Sequence, residues 1–239
     1  MKKVLHRAES RGHANHGWLD SYHSFSFASY FDPERVQFGA LRVLNDDKVL
    51  GGQGFGKHPH QNMEIVSIPL SGSLAHKDSM GSVEVIKTGD VQIMSAGTGV
   101  FHSEFNHDAN QSVNFLQIWI LPQKQNIQPR YEQQSFSQAE RLNQWQTVVS
   151  PEPGKGVWIN QEAWFSRVDL SAEQEISYTP HSPDHGMYLF VLAGKIVTAQ
   201  EELHQRDGLG VWGTDKLTLK ATEASEVLLI EVPMLSPAA

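Results

Sequence analysis

The sequence carries a loose copy of itself. Ile68-Pro69-Leu70-Ser71-Gly72-Ser73-Leu74 is matched in the second half by Phe190-Val191-Leu192-Ala193-Gly194-Lys195-Ile196. Downstream, Gly89-Asp90-Val91-Gln92-Ile93-Met94 is matched by Asp207-Gly208-Leu209-Gly210-Val211-Trp212. Identities are few but the roles agree: an apolar run, a glycine turn, a second run, a polar-glycine turn, a third run. A duplicated strand-rich unit accounts for both halves at once. Helical periodicity is scarce elsewhere, while short apolar runs bounded by glycine and polar pairs recur, as in Ile65 to Leu70, Phe115 to Leu121, Met187 to Leu192 and Val227 to Val232. Phe25 and Phe27 alternate with Ser24 and Ser26. Leu41 to Leu44 runs into Asn45-Asp46-Asp47, which reads as a turn before Val49 and Leu50. The pattern predicts an all-β chain whose halves are two stacked antiparallel β-barrels.

A chain of 239 residues accommodates two units of about 120 residues each. The expected division is a first barrel over 1–125, a linker over 126–150 and a second barrel over 151–239, with terminal strands exchanged between the two. Prolines 122, 129, 151 and 153 and a glutamine-rich stretch mark the linker, in which Ser137 to Asn143 reads as a short helix with Ser137 as cap and Glu140 three places on. The formal charge of -8 and the lack of a basic run argue against nucleic acid as a direct partner. Without cysteine, any metal must be held by nitrogen and oxygen. No stretch is apolar for long enough to serve as a signal peptide or membrane span. The expectation is a cytoplasmic monomer with no membrane partner, a protein partner being left open.

Two short motifs carry the chemistry. His58-Pro59-His60 places two imidazoles at i and i+2, which in an extended chain point to one face with alpha carbons about 6.6 to 7 Å apart. Pro59 cannot donate to a ladder, so the pair belongs on an edge or irregular stretch. The same parity continues through Asn62, Glu64, Val66, Ile68 and Leu70, predicting that the histidine face becomes an apolar inner wall. His102-Ser103-Glu104 repeats the geometry with one imidazole and one carboxylate, after glycines at 97 and 99 that suit a tight bend. Histidine occurs 12 times, so one such pair says little; the two together supply three nitrogens and one oxygen. That set suits Fe(II), Mn, Ni, Cu(II) or Zn. Glu64 shares the parity of His60 and competes with Glu104, one as ligand and the other as a nearby base or a group orienting a histidine.

The second half lacks equivalents. Pro180 and Ser182 stand where the first pair would fall, and Ala224 and Glu226 where the second would. A metal is therefore expected only in the first half. His181, His185 and His204 are read as ordinary surface or loop residues.

These motifs, with Gly72 and Asn106, resemble those of the pirin family within the cupins. The opening stretch from Arg11-Gly12-His13 through Gly17-Trp18-Leu19-Asp20-Ser21-Tyr22-His23-Ser24-Phe25-Ser26-Phe27 and Tyr30-Phe31-Asp32-Pro33 is similar to the pirin amino-terminal signature. The resemblance is close over residues 11 to 122 and generic beyond. Ser95 stands where the general cupin pattern has proline, and the glycine-to-histidine distance is longer, as in the pirin variant. The resemblance implies a bicupin fold of the double-stranded β-helix or jelly-roll type. It implies one divalent metal ion per chain, Fe(II) foremost with Zn, Ni, Cu, Mn or Co as alternatives, held by His58, His60, His102 and Glu104.

It also implies a function. Some members act as quercetin 2,3-dioxygenases, opening a flavonol ring with dioxygen and releasing carbon monoxide; the mammalian member is instead an iron-dependent cofactor of transcription regulators. The leading expectation is a metal-dependent quercetin 2,3-dioxygenase acting on a small aromatic substrate such as a flavonol, with Glu104 or Glu64 as catalytic base. Expected pocket walls are Phe25, Phe27, Met63, Met94, Phe101, Phe105 and Trp119. The alternatives are a metal-bearing regulatory protein without physiological turnover, and an isomerase or other cupin enzyme acting on small sugars, with polar pocket walls.

Overall fold

The computed structural model describes residues 1–235, so the last four residues of the expected 151–239 unit lie outside the described residues. The chain is built almost wholly of strands. They begin with β1 (Lys2–His6), β2 (Gly12–Asn15), β3 (Leu19–His23), β4 (Leu41–Val49), β5 (Gly54–His60) and β6 (Glu64–Ser71). There follow β7 (Ser73–Asp78), β8 (Val83–Lys87), β9 (Asp90–Ser95), β10 (Val100–Asn106), β11 (Val113–Ile120) and β12 (Arg130–Ser135). The second half has β13 (Gln146–Ser150), β14 (Val157–Trp158), β15 (Trp164–Leu170), β16 (Glu175–Tyr178) and β17 (His185–Ala193). It ends with β18 (Ile196–Thr198), β19 (Glu201–Leu203), β20 (Gly208–Trp212), β21 (Leu217–Ala221) and β22 (Ser225–Pro233).

Each half has a seven-stranded and a four-stranded sheet. The first half has β12-β9-β6-β11-β4-β3-β2 and β5-β10-β7-β8; the second has β1-β20-β17-β22-β15-β13-β14 and β16-β21-β18-β19. The order of the large sheets is the same once β9 is read as β20, β6 as β17, β11 as β22 and β4 as β15. The repeat is thus present in the topology. Its glycine turns agree as well, with Gly72 at φ 77° and Gly194 at φ 78°, backbone that favours glycine.

The expectation of a bicupin of two stacked closed barrels is corrected: among the described residues none of the four sheets closes on itself. The ladder is interrupted at the corners. Between β5 and β6, and again between β8 and β9, a few residues turn the chain from the small sheet to the large one. Between β6 and β7, and between β9 and β10, it turns back. Each half is therefore a pair of facing sheets with free edges.

Two local expectations also change. Asn45-Asp46-Asp47 is not a turn but the middle of β4, and all three are buried. The carboxylates lie in a strand because each has partners: Asp46 accepts from Arg206 Nε at 2.7 Å and Asn114 Nδ2 at 2.8 Å, and Asp47 accepts from the Ser21 hydroxyl. The parity carried from His60 into Glu64, Val66 and Ile68 fails at the corner. Asn62, at φ 48°, turns the chain, and Val66 and Ile68 then face the core shared by both halves.

Residues 126–150 contribute β12 to the first large sheet and β13 to the second. The short helix expected there is a 3-10 turn over Gln138–Arg141, with no cap bond from the Ser137 side chain. In the other direction β1 pairs antiparallel with β20, from Lys2 opposite Trp212 to His6 opposite Gly208. One apolar core joins the halves: Phe25, Leu41, Val66 and Ile118 of the first pack with Phe165, Tyr188, Phe190 and Leu228 of the second. No helix among the described residues is long and apolar enough to cross a membrane.

Candidate metal centre

His58 and His60 lie on β5, an edge strand, which accommodates Pro59 without loss of a ladder bond. β10 pairs beside it with His102 opposite His58 and Val100 opposite His60. The register slips between His102 and Glu104, because β5 carries an extra residue around Gly56. That irregularity aims the Gly56 carbonyl at the His58 ring, which donates Nδ1–H to it at 2.7 Å and turns Nε2 toward His102.

The three imidazoles converge. Ring centroids are 4.8 Å apart for His58 and His60, 4.4 Å for His58 and His102, and 4.8 Å for His60 and His102. One nitrogen from each lies within 4.8 Å of the others. The Nε2 atoms of His58 and His102 are 3.0 Å apart. Two nitrogens bound at right angles about 2.1 Å from one ion would be separated by about 3.0 Å, so the spacing fits neighbouring corners of a coordination shell. Burial first, and the neighbouring imidazoles second, hold His60 down at about 4 and His102 at about 3. Both rings are neutral at neutral pH, the form that binds metal.

Glu104 does not join that trio within the same distance; its carboxylate groups instead with His102 and His76. It is buried and oriented by two donors, Ser67 Oγ at 3.0 Å to Oε1 and Gln117 Nε2 at 2.8 Å to Oε2. Glu64 lies apart from both clusters. Its Oε2 accepts from Ser95 Oγ at 2.7 Å and from the Asn160 amide at 3.2 Å, across to the second half.

Sequence reasoning missed His76. It lies on β7 directly opposite Glu104, buried, with Nε2 3.1 Å from Asp78 and its ring 4.7 Å from that of Tyr131. The signal was available: His76-x-Asp78 has the same i, i+2 spacing as the two recognised motifs.

A cavity of about 570 Å³ opens beside the imidazoles, within the usual range for small-molecule sites. Trp18, Phe27, Phe55 and Trp119 form aromatic walls; Ser21, His23, Asn45, Asp47 and Gln117 form a polar one. Of the expected walls only Phe27 and Trp119 face it. Phe25 is in the shared core, Met63 and Met94 pack in a small cluster behind, and Phe101 and Phe105 are exposed on the outer face of β10. On the polar wall His23 Nε2 lies 2.8 Å from Ser21 Oγ, and that hydroxyl donates to Asp47. Burial pushes the Asp47 carboxyl up to about 7.

His181 and His185 are not ordinary loop residues. Both donate Nδ1–H to the buried Glu231, at 2.8 and 2.7 Å, and the Tyr178 hydroxyl donates to it at 2.8 Å. His204 is exposed, as expected.

Comparison with known proteins gives two family matches. The pirin model matches residues 4–120, and a model described as the quercetinase C-terminal cupin domain matches residues 147–232. The chain is 41% identical over 230 residues to the quercetin 2,3-dioxygenase of Escherichia coli strain K12, covering 96% of this chain and 98% of that one. It is 42% identical over 223 residues to a putative quercetin 2,3-dioxygenase of Pseudomonas aeruginosa, covering 92% of this chain and 95% of that one. Among solved structures, a bacterial pirin from Escherichia coli in complex with nickel(II) superposes with a TM-score of 0.92 at 39% identity, covering 98% of this chain and 100% of that one.

Proposed function

The chain belongs to the pirin family, and from that premise we propose that it is a metal-dependent quercetin 2,3-dioxygenase. The observation that carries this reading is the trio of converging imidazoles facing a cavity with aromatic walls, in a chain so close to a protein of that activity. His58, His60 and His102 would hold the ion, with Glu104 as the fourth ligand, and the ion we propose is Fe(II). When bound, it supplies the Lewis acidity and electron-transfer capacity that reaction of a flavonol with dioxygen requires.

The chain's own residues do the rest. Trp18, Phe55, Phe27 and Trp119 offer flat apolar faces for a planar polycyclic substrate, with ring edges and faces in favourable contact. The polar wall offers Ser21, Asn45 and Gln117 to its hydroxyls, so the substrate is oriented with one edge toward the imidazoles. Glu104 lines the cavity and is the base in this reading; Ser67 and Gln117 hold its carboxylate in place to receive the proton of the substrate hydroxyl. Glu64 is outside the cavity lining and holds Ser95 to Asn160 instead. A purely regulatory role has no need of so large an opening beside the metal ligands.

The test is anaerobic purification and metal analysis, followed by dioxygen uptake and carbon monoxide release with quercetin and other flavonols. Turnover is expected in the metal-loaded protein. His58→Ala and His102→Ala should lose metal and turnover together, and Glu104→Gln should lower kcat by about 10²-fold or more. A fully loaded protein that consumes no dioxygen with any flavonol would overturn the proposal.

A further inference from the structure

We propose that the cleft between the two halves is a second ligand site, built for the oxyanion of a small molecule and anchored by Arg167. The cleft has a volume of about 520 Å³ and shares no lining residue with the cavity at the imidazoles. Arg167, on β15, lines it and is only 6% exposed. Among the described residues its Nε is buried without a hydrogen-bond partner, and the nearest carboxylate, Glu226, stays 3.8 Å from Nη2 with its side chain 40% exposed. Nε–H and Nη2–H form the side edge of a guanidinium, the fork that takes two oxygens of a carboxylate or phosphate. Here that edge makes no hydrogen bond.

The other cations around the cleft are already engaged. Arg141 Nε donates to Asp169 at 2.7 Å, and Asp169 also accepts from Gln138. Arg206 Nε donates to Asp46 at 2.7 Å, which Arg11 approaches at 3.4 Å. Arg11, Arg141, Arg167 and Arg206 thus share Asp46, Asp169 and the half-exposed Glu226, leaving positive charge in excess around the largely buried Arg167. Burial and the neighbouring Arg141 both pull the Arg167 guanidinium down to about 10, more than Glu226 and Asp169 offset. An isolated buried charge is costly unless something pairs with it. Leu70, Leu192 and Phe136 add an apolar side to the cleft, and Thr88 and Asn114 supply polar contacts. The complementary ligand is a small anion with an apolar body.

Calorimetric titration of the full chain with inorganic phosphate and, separately, with benzoate tests this and distinguishes phosphate from carboxylate. At least one probe is expected to bind, more weakly as salt is raised. Arg167→Met should weaken it at least about 20-fold, and Arg167→Lys, which keeps the charge but not the fork, should weaken it as well. Glu226→Gln, a surface change that spares the fold, should tighten it by about threefold to tenfold by removing a competing carboxylate. Metal content and thermal midpoint of each variant show whether it is folded. No binding of either probe to the wild type or to Glu226→Gln overturns the proposal, and so does binding that is indifferent to both Arg167 variants.

Discussion

At the scale of single residues, the polar wall opposite the imidazoles was the least legible part of the site. Asn45, Asp46 and Asp47 have the composition of a turn, and nothing local reveals that Ser21, Arg206 and Asn114 arrive to bond them from distant segments. The approach of His58, His60 and His102 was readable because i, i+2 spacing is a local property of an extended chain, and His76-x-Asp78 was readable by the same rule. Asp47 leads to a prediction. Its carboxyl is raised from the ordinary 3.8 to about 7, chiefly by burial. The folded chain then holds a proton that the unfolded chain releases, so this contribution to stability is full below about pH 4 and is lost as pH rises through about 7. Asp47→Asn keeps an acceptor for the Ser21 hydroxyl and removes the ionisation. Urea unfolding at a series of pH values should show the variant gaining on the wild type between about pH 4 and pH 7. A difference that stays constant across that range would mean the carboxylate is charged in the folded state throughout.

At the scale of elements, the strands themselves were legible wherever apolar residues ran continuously, as in β6, β9, β11, β17, β20 and β22. What could not be read was where the chain leaves one sheet for the other, because a corner and a hairpin use the same glycines. The parity argument failed for that reason between His60 and Glu64. Phe25 and Phe27, alternating like a strand, are in no strand: one is in the shared core and the other at the cavity. Two corners brace each other at the site, the Asn62 amide donating to the Gly97 carbonyl at 2.9 Å and the Ala96 amide to the Met63 carbonyl at 2.8 Å. Gly97 has φ 46°, and a Cβ there would sit 2.1 Å from the Ile127 carbonyl oxygen. Gly97→Ala should therefore cost about 2–4 kcal/mol and loosen metal retention, since it displaces the start of the strand bearing His102. Gly56→Ala, with no atom within 4 Å of the added carbon, should stay within about 0.5 kcal/mol of the wild type. Denaturant melts and metal analysis of both variants check this, and equal behaviour of the two would refute the bracing role.

For the whole molecule, the repeat pointed to two similar units but gave no hint of how firmly they are joined. Tyr188 stands at the junction, buried, with its ring 5.4 Å from Phe25 and 5.5 Å from Phe38, and its hydroxyl 2.9 Å from His6 Nδ1. Because the core is continuous, neither half can expose its face without stripping the other. Scanning calorimetry should give a single transition, with equal calorimetric and van 't Hoff enthalpies; two resolved peaks would show that the halves melt independently. The pairing of β1 with β20 has a further consequence, for biosynthesis. At about 5–20 residues per second, roughly 10 to 40 s separate the emergence of the first strand from the ribosome and that of its mate. Throughout that wait the nascent chain carries an unmated strand. The second large sheet takes one edge strand from residues made long before its neighbour, so that edge stays open until Gly208–Trp212 has emerged.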